Sequence, residues 1–418
     1  MKDLVVIGQG YVGLPLSRAA SNAGFRVTGL DVSQTIVDDL NAGTSHVEDI
    51  PDTELKRMLD NGYQATTDNS ALQEADVIVV CVPTPLGDAG RPDLDAVEAA
   101  TQAIADNLTR KSLVILESTT YPGTTEELLQ PVLEAGGRKL DQDFYLAFSP
   151  ERIDPGNKTY TLENTPKVVG GVSNESGEHA VSFYSQFINE VVKVKGAKEA
   201  ETAKLLENTY RHINIGLVNE MAKFSHELGI DIWEVIKAAK TKPFGFQAFY
   251  PGPGVGGHCI PIDPSYLNYS VRKALGHPFR FVDLAEDINN SMPNYVVQRV
   301  QDLLNEHQKS LNGSKVLLLG VSYKANISDQ RHSPAIPVGA GLLNKGAVIS
   351  YHDVNVPSWS LNGEEFESVA DLDQAVEDAD IVILLQAHRE YKISDLAPKA
   401  KLFFDTRGVA TSDEAYVL

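Results

Sequence analysis

Apolar residues come in this chain as short unbroken runs, each closed by Gly, Pro, Ser or Thr and followed by three- and four-residue apolar spacing. That alternation predicts strands buried on both faces of a mostly parallel sheet, with helices as the cover. Over residues 1–195 the strand candidates are Leu4–Ile7, Arg26–Leu30, Val77–Val82, Leu113–Glu117 and Phe144–Phe148. Residues 196–300 break the pattern. There Ala203, Leu206, Tyr210, Ile213, Leu217 and Met221 recur at helical steps within a helix predicted from Ala200 to Leu228. A second helical run covers Val282 to Asn312, and a loop rich in Gly and Pro fills Lys242 to Pro264. Residues 301–418 return to alternation, with strands predicted at Lys315–Leu319, Val348–Tyr351, Ile381–Leu385 and Leu402–Asp405. Ala379-Asp380-Ile381-Val382-Ile383-Leu384 echoes Ala75-Asp76-Val77-Ile78-Val79-Val80. The pattern gives an α/β fold: two Rossmann-like domains with parallel sheets, at 1–195 and 301–418, joined by a long-helix connector domain at 196–300.

Composition narrows the setting. With 418 residues, 42% of them hydrophobic, the chain has material for several cores, and no apolar run reaches the roughly 18–20 residues of a membrane span. Two cysteines make no disulfide framework, and the N-terminus enters a strand without the pattern of a secretory signal; both point to a reducing, cytoplasmic setting. A net charge of −21 argues against a nucleic-acid partner. It leaves room for an anionic small ligand held by backbone N–H groups and a few local cations.

Such a site is legible at the start. Gly8-Gln9-Gly10-Tyr11-Val12-Gly13 follows the first strand and opens a helical pattern, and Asp31 ends the second strand. Glycines permit the tight turn, the approach of backbone to a pyrophosphate and close helix–strand packing, while the helix N-terminus supplies donors. Asp31 suits the adenosine ribose hydroxyls and repels a 2′-phosphate, so the expected cofactor is NAD rather than NADP. Val82-Pro83-Thr84-Pro85 and Glu117-Ser118-Thr119-Thr120 end strands on the same sheet edge. Their hydroxyls suit either the nicotinamide side of a cofactor or ordinary turn chemistry.

The stretch from Phe249 through Tyr250, Gly252, Gly254, Gly256, Gly257 and His258 to Cys259, then on to Asp263 and Pro264, fixes an extended backbone that few side chains cover. A cysteine in such a loop suits a nucleophile, whereas Cys81, inside an apolar run, reads as a small buried hydrophobe. Lys204 and Asn208, four residues apart, share one helical face, which suits either oxyanion stabilisation or a solvated pair. No metal-ligand spacing and no Gly-x-Ser-x-Gly motif occurs, so neither a metal nor a serine hydrolase is expected.

These motifs, with Ser149-Pro150-Glu151-Arg152, Glu207-Asn208-Thr209, Gly320-Val321-Ser322-Tyr323-Lys324 and the segment from Asp329 to Pro334, resemble the UDP-glucose/GDP-mannose dehydrogenase family over nearly the whole chain. The resemblance implies a four-electron oxidation of a UDP-sugar at C6 using two NAD in succession. It implies Cys259 as nucleophile, Lys204 and Asn208 as oxyanion stabilisers, Asp263 as a partner that orients water or tunes Lys204, and Glu151 and Thr119 as residues that place the hydrolytic water. It implies cofactor contacts from Gly8, Gly10, Tyr11, Val12, Gly13, Asp31, Thr84, Thr119 and Arg331. Substrate contacts would come from Glu151, Arg152, Lys204, Asn208, Phe249, Tyr250, Gly256 and Lys324, and the assembly would be a homodimer built on helical packing. An ion pair with Asp329 is the plainer reading of Arg331.

Within the family, Glu151-Arg152-Ile153-Asp154-Pro155-Gly156-Asn157 and Ile260-Pro261-Ile262-Asp263-Pro264 look most like the UDP-N-acetylhexosamine branch, UDP-N-acetylglucosamine first. UDP-glucose and UDP-N-acetylmannosamine are the alternative substrates. Arg211 is a candidate reader of the N-acetyl group, with His212 beside it, and both equally suit a helix face. Ser328 stands where many relatives place an acid. A one-step hydroxyacid dehydrogenase and a non-catalytic nucleotide-binding module are the readings of other classes.

Overall fold

The apolar run Leu4–Ile7 forms most of the first strand, β1 (Asp3–Ile7), and every one of its four residues is buried. The computed structural model describes residues 2–87, 91–153, 157, 159–257, 260–410 and 415–418. The chain forms two compact units, Met1–Glu207 with Ser265–His277, and Asn208–Pro264 with Pro278–Leu418.

In the first unit β1 is followed by α1 (Gly13–Asn22), β2 (Arg26–Leu30), α2 (Gln34–Asn41), α3 (Asp52–Asp60), β3 (Gln64–Thr66), β4 (Val77–Val80), α4 (Asp95–Asn107), β5 (Ser112–Leu116), α5 (Gln130–Glu134) and β6 (Phe144–Phe148). Then come β7 (Lys167–Gly171), α6 (Asn174–Tyr184) and β8 (Val191–Lys193). The strands make one sheet in the order β3-β2-β1-β4-β5-β6-β7-β8. The first six run parallel, as expected, but β7 pairs antiparallel to β6, and β8 runs with β7. An antiparallel neighbour needs no crossover helix, which is why the long loop between Phe148 and Lys167 suffices there. Strands β4 and β5 are buried at every position, the signature of a sheet covered on both faces. The core on one face joins Leu4, Val6, Leu14, Leu16, Val79 and Ile115 to Phe183 and Tyr184 of α6.

The long helix α7 (Ala197–Glu227) begins in the first unit and is divided after Glu207. The second unit continues with α8 (Ile232–Lys240); then α9 (Asp263–Leu275), divided after Pro264, and α10 (Arg280–Glu306). Residues 241–257 contain neither helix nor strand, as read from the Gly and Pro content, but α9 begins at Asp263, inside the loop expected to run to Pro264. Next come β9 (Lys315–Leu319), α11 (Ala335–Asn344), β10 (Val348–His352), β11 (Ser358–Leu361), β12 (Glu364–Glu367) and α12 (Leu372–Asp378). Last are β13 (Ile381–Leu384), α13 (Ile393–Leu396), β14 (Phe403–Asp405) and β15 (Tyr416–Val417). A five-stranded parallel sheet runs β10-β9-β13-β14-β15, beside a β11–β12 hairpin.

The sequence echo is a structural one. Strand β4 pairs β1 on the side away from β2, and β13 pairs β9 on the side away from β10. The Asp76 carboxylate accepts from the Asp3 N–H at 2.9 Å, as Asp380 does from Lys315 at 3.0 Å. Gly8 and Gly320 follow β1 and β9 with φ of +88° and +78°, and their N–H groups donate to Leu30 and His352. Each unit thus has its own Rossmann-like half, and the helices α7 to α10 lie between those halves in the sequence.

Candidate active site

The turn after β1 is built for close approach. A β-carbon on Gly8 would meet the Cys81 carbonyl oxygen at 2.6 Å, and one on Gly13 would meet that of Gly8 at 1.8 Å. Helix α1 starts at Gly13, has no side-chain cap at Val12 and no acid in its first turn, so its N-terminal field is left for an anion. The Asp31 carboxylate is half-buried at the end of β2 and accepts from the N–H groups of Gln9 and Ser33, both at 2.9 Å. Those bonds aim it without using all its lone pairs, which fits a ribose diol. Asp353 ends β10 in the matching place but is differently used. It is buried, and it accepts from the Val321 N–H at 2.7 Å, from the Ser322 N–H and from His388.

Of the other loops on this edge, Thr84 is buried, and its carbonyl accepts a 2.6 Å hydrogen bond from the Tyr266 hydroxyl. Ser118 spends its hydroxyl on the Val82 carbonyl at 2.7 Å, so it ties the two loops together, which is turn chemistry. Thr119 is half-buried, and the buried Thr120 hydroxyl has no partner among the described residues. Glu201, on α7 one turn before Lys204, accepts from the N–H groups of Gly123 and Thr125 and from the Thr125 hydroxyl, fixing the chain just beyond Thr120. Burial pushes the Glu201 carboxyl up to about 7.

Beyond β6, Glu151 is buried, and its carbonyl accepts a 2.6 Å hydrogen bond from the Lys204 ammonium. Its carboxylate takes the N–H groups of Arg152 and Ile153 and, at 3.3 Å, the buried ammonium of Lys167. The Arg152 guanidinium is committed to Glu207, at 2.7 and 3.3 Å, and to the Pro166 carbonyl at 2.6 Å. It therefore fastens the Glu151 segment to α7.

In the second unit, the Asn208 amide donates to the Asp263 carboxylate, and both residues are buried. The neighbouring Thr209 hydroxyl is buried without a partner among the described residues. Phe249 packs edge-on to Tyr210 at 5.6 Å, and Tyr250 stacks on Trp233. A β-carbon on Gly256 would lie 2.8 Å from the His332 carbonyl oxygen, and one on Gly257 would lie 2.6 Å from the Tyr323 ring. The loop before the cysteine is thus seated on the Gly320–Lys324 and Asp329–Pro334 segments. His258 and Cys259, like Asp154, Pro155 and Gly156, lie outside the described residues.

Lys324 is half-buried, and its carbonyl accepts from Ser322. Arg331 is exposed and pairs bidentately with Asp329, with Nη2 2.6 Å and Nε 3.0 Å from its carboxylate oxygens. Arg211 is exposed, whereas His212 is buried beside Asn289 and held down to about 4 by burial, so it stays neutral and belongs to the packing of α7. Ser328 is exposed.

Several residues were missed from sequence. Lys167 and Tyr184 lie inside elements whose apolar character hid them. Arg407 sits at the end of β14 with Nε bonded to the Leu385 carbonyl, and a β-carbon on Gly252 would meet its Nη1 at 2.9 Å. Burial lowers the Arg407 guanidinium to about 10, still charged at neutral pH. Cys81 is free, and burial, then Glu117, pushes its thiol well above the usual range, as expected of an inert cysteine.

Comparison with known proteins agrees with both halves. Residues 2–188 match the NAD binding domain of the UDP-glucose/GDP-mannose dehydrogenase family, 198–291 its central domain and 317–412 its UDP binding domain. A UDP-N-acetyl-D-mannosamine dehydrogenase of Methanocaldococcus jannaschii is 34% identical over 98% of this chain and 92% of its own. An NDP-N-acetyl-D-galactosaminuronic acid dehydrogenase of Ralstonia nicotianae is 33% identical over 98% of this chain and 96% of its own. Among solved structures, UDP-D-ManNAc dehydrogenase from Pyrococcus horikoshii superposes with a TM-score of 0.89 at 30% identity, covering 98% of this chain and 96% of that one. The turn at Gly8–Gly13 and the acid at Asp31 lie within the matched NAD binding domain, and the chain belongs to the UDP-glucose/GDP-mannose dehydrogenase family.

Proposed function

We propose that this chain oxidises C6 of a UDP-N-acetylhexosamine from alcohol to carboxylate, with Cys259 as covalent catalyst. The observation that carries the reading is the Asn208–Asp263 bond, which anchors the chain that leaves the cysteine loop to α7, one turn from Lys204. Bound NAD would accept the hydride lost from C6 in each of two oxidations, alcohol to aldehyde and thiohemiacetal to thioester. The Cys259 sulfur adds to the aldehyde carbon, and Lys204 and Asn208 stabilise the oxyanion that forms. Water then adds to the thioester carbonyl, Glu151 takes its proton, and the thiolate leaves as the carboxylate forms. Thr119 supports that water. Phe249, Tyr250, Gly256, Lys324 and the newly found Arg407 hold the nucleotide sugar, the cations acting on its diphosphate. Arg211 remains our candidate reader of the N-acetyl group.

The sequence motifs put UDP-N-acetylglucosamine first. The relatives' names favour UDP-N-acetylmannosamine, and the proposal moves to that sugar. A panel of UDP-N-acetylmannosamine, UDP-N-acetylglucosamine, UDP-N-acetylgalactosamine and UDP-glucose is expected to give two NADH per sugar, with the highest kcat/KM on the mannosamine. One NADH per sugar would point to a one-step dehydrogenase, and none to a binding module; either outcome sinks the proposal.

Helix α7 supports a homodimer. Leu206, Tyr210, Leu217, Phe224 and Leu228 are 45–68% exposed, and at 100° per residue they fall within a stripe about 40° wide. Each such side chain is already about half covered and gains on the order of 1 kcal/mol when the rest is buried, so a second copy of the stripe is a favourable partner. Leu217→Glu with Phe224→Glu is expected to convert the dimer to monomer, with the circular dichroism unchanged. Light scattering behind gel filtration reads the mass directly, and an unchanged mass rejects this interface. No described helix is long and apolar enough to cross a membrane, and we place the enzyme in the cytoplasm on the composition argued above.

A further inference from the structure

Beneath Glu151 lies an ionic cluster that the proposed chemistry does not use. Lys167, at the start of β7, is 3% exposed and reaches Glu117 at 3.0 Å and Glu151 at 3.3 Å. Glu117, at the end of β5, is itself buried and accepts a hydrogen bond from the Tyr184 hydroxyl of α6. Cys81, after β4, and Lys204, on α7, are the other titratable groups among the described residues that face this cluster. Withdrawing such ions from water costs several kcal/mol each, and apolar replacements of like volume are often more stable. Stability therefore gives little reason for the cluster, and its place under Glu151 gives a better one.

Resting on the function proposed above, we propose that Lys167 is a positioning residue for Glu151, holding that carboxylate ionised and aimed, with Glu117 as the second carboxylate on the same ammonium. The two acids are unequal by construction. Among the described residues Glu117 has Lys167 and a phenol for company and no backbone donor to its side chain, whereas Glu151 has two backbone N–H groups, Lys167 and the nearby Lys204 charge. Burial raises Glu117 to about 7 despite Lys167. Burial also pushes Glu151 upward, but Lys167, the Ile153 N–H and Lys204 more than offset it and leave it below the usual range. A single proton entering the cluster near neutrality thus goes to Glu117, and Glu151 stays able to accept one from water. Protonation of Glu117 also leaves the whole Lys167 charge to Glu151.

The test is the pH dependence of kcat and KM for acid formation by the full-length enzyme, across about pH 4 to 9. Glu117→Gln imitates the protonated acid. Wild-type Glu117 is already neutral on the acid side of about 7, so the variant is expected to leave the Glu151 acid limb in place. It is expected instead to remove the inflection in kcat that ionisation of Glu117 gives the wild type near neutrality, with KM within about twofold. Lys167→Met is expected to lower kcat about 100-fold and move that limb upward, and Lys167→Arg to restore most of the rate. Melting temperatures separate misfolding from mispositioning. Should Lys167→Met fail to fold, the Glu117→Gln and Lys167→Arg profiles still decide. A folded Glu117→Gln whose profile superimposes on the wild type overturns this inference alone. Wild-type enzyme that fails to make two NADH per sugar overturns the functional reading and this inference with it.

Discussion

Replacing Cys259 with alanine is expected to lower uronic acid formation by more than about 10³-fold, because no other described group is placed to form the thioester. The only described cysteine, Cys81, has a thiol that burial keeps protonated, and it ends a strand rather than lying in the glycine loop. The loop that carries Cys259 presses Gly256 and Gly257 onto His332, Pro334 and Tyr323 so tightly that a β-carbon at either would clash. The measurement is NADH per sugar together with mass spectrometry of the product. Two NADH and a uronic acid at near wild-type rate from Cys259→Ala would remove the covalent mechanism.

Lys204→Met is expected to cost about 10²–10³ in kcat with a much smaller change in KM, the pattern of a group that acts on charge developing in the transition state. The Lys204 ammonium already has one proton pointed at the Glu151 carbonyl, so it is held in place before substrate arrives, with two protons left to donate. Lys204→Arg keeps the charge but replaces a compact ammonium by a planar fork, and it should recover little. Steady-state kinetics with equal melting temperatures checks this. A loss confined to KM would reassign Lys204 to ground-state binding.

Much of this was readable from residues alone because the signals were local. Strands β2, β6 and β9 carry the predicted bounds, since apolar runs and breakers are written into neighbouring positions. Short edge strands such as β3 and β8 were missed: three half-exposed residues carry no hydrophobic period, and their pairing comes from the sheet. Helix α8 was missed although Asp231 caps it, with its carboxylate accepting from Trp233 and Glu234. The Lys167–Glu117 bond joins residues 50 positions apart, and no periodicity reports a contact of that kind. Spacing can also mislead. Gly252, Gly254 and Gly257 repeat the dinucleotide spacing with no strand before them, so it is the strand, helix and terminal acid that give Gly8–Gly13 its meaning.

The matching acid of the second half, Asp353, is buried, with one oxygen shared by two peptide N–H groups and an imidazole and the other bonded by the Asn355 N–H, so it has less to offer a ribose than the half-buried Asp31. On the proposed function the Gly8–Gly13 turn serves as the berth for a dinucleotide, yet the chemistry calls on an oxidant twice. The spent carrier must vacate the berth in mid-turnover, and a half-finished product that was merely resting nearby would drift off during the exchange. A sulfur tether solves a problem of occupancy as much as one of reactivity.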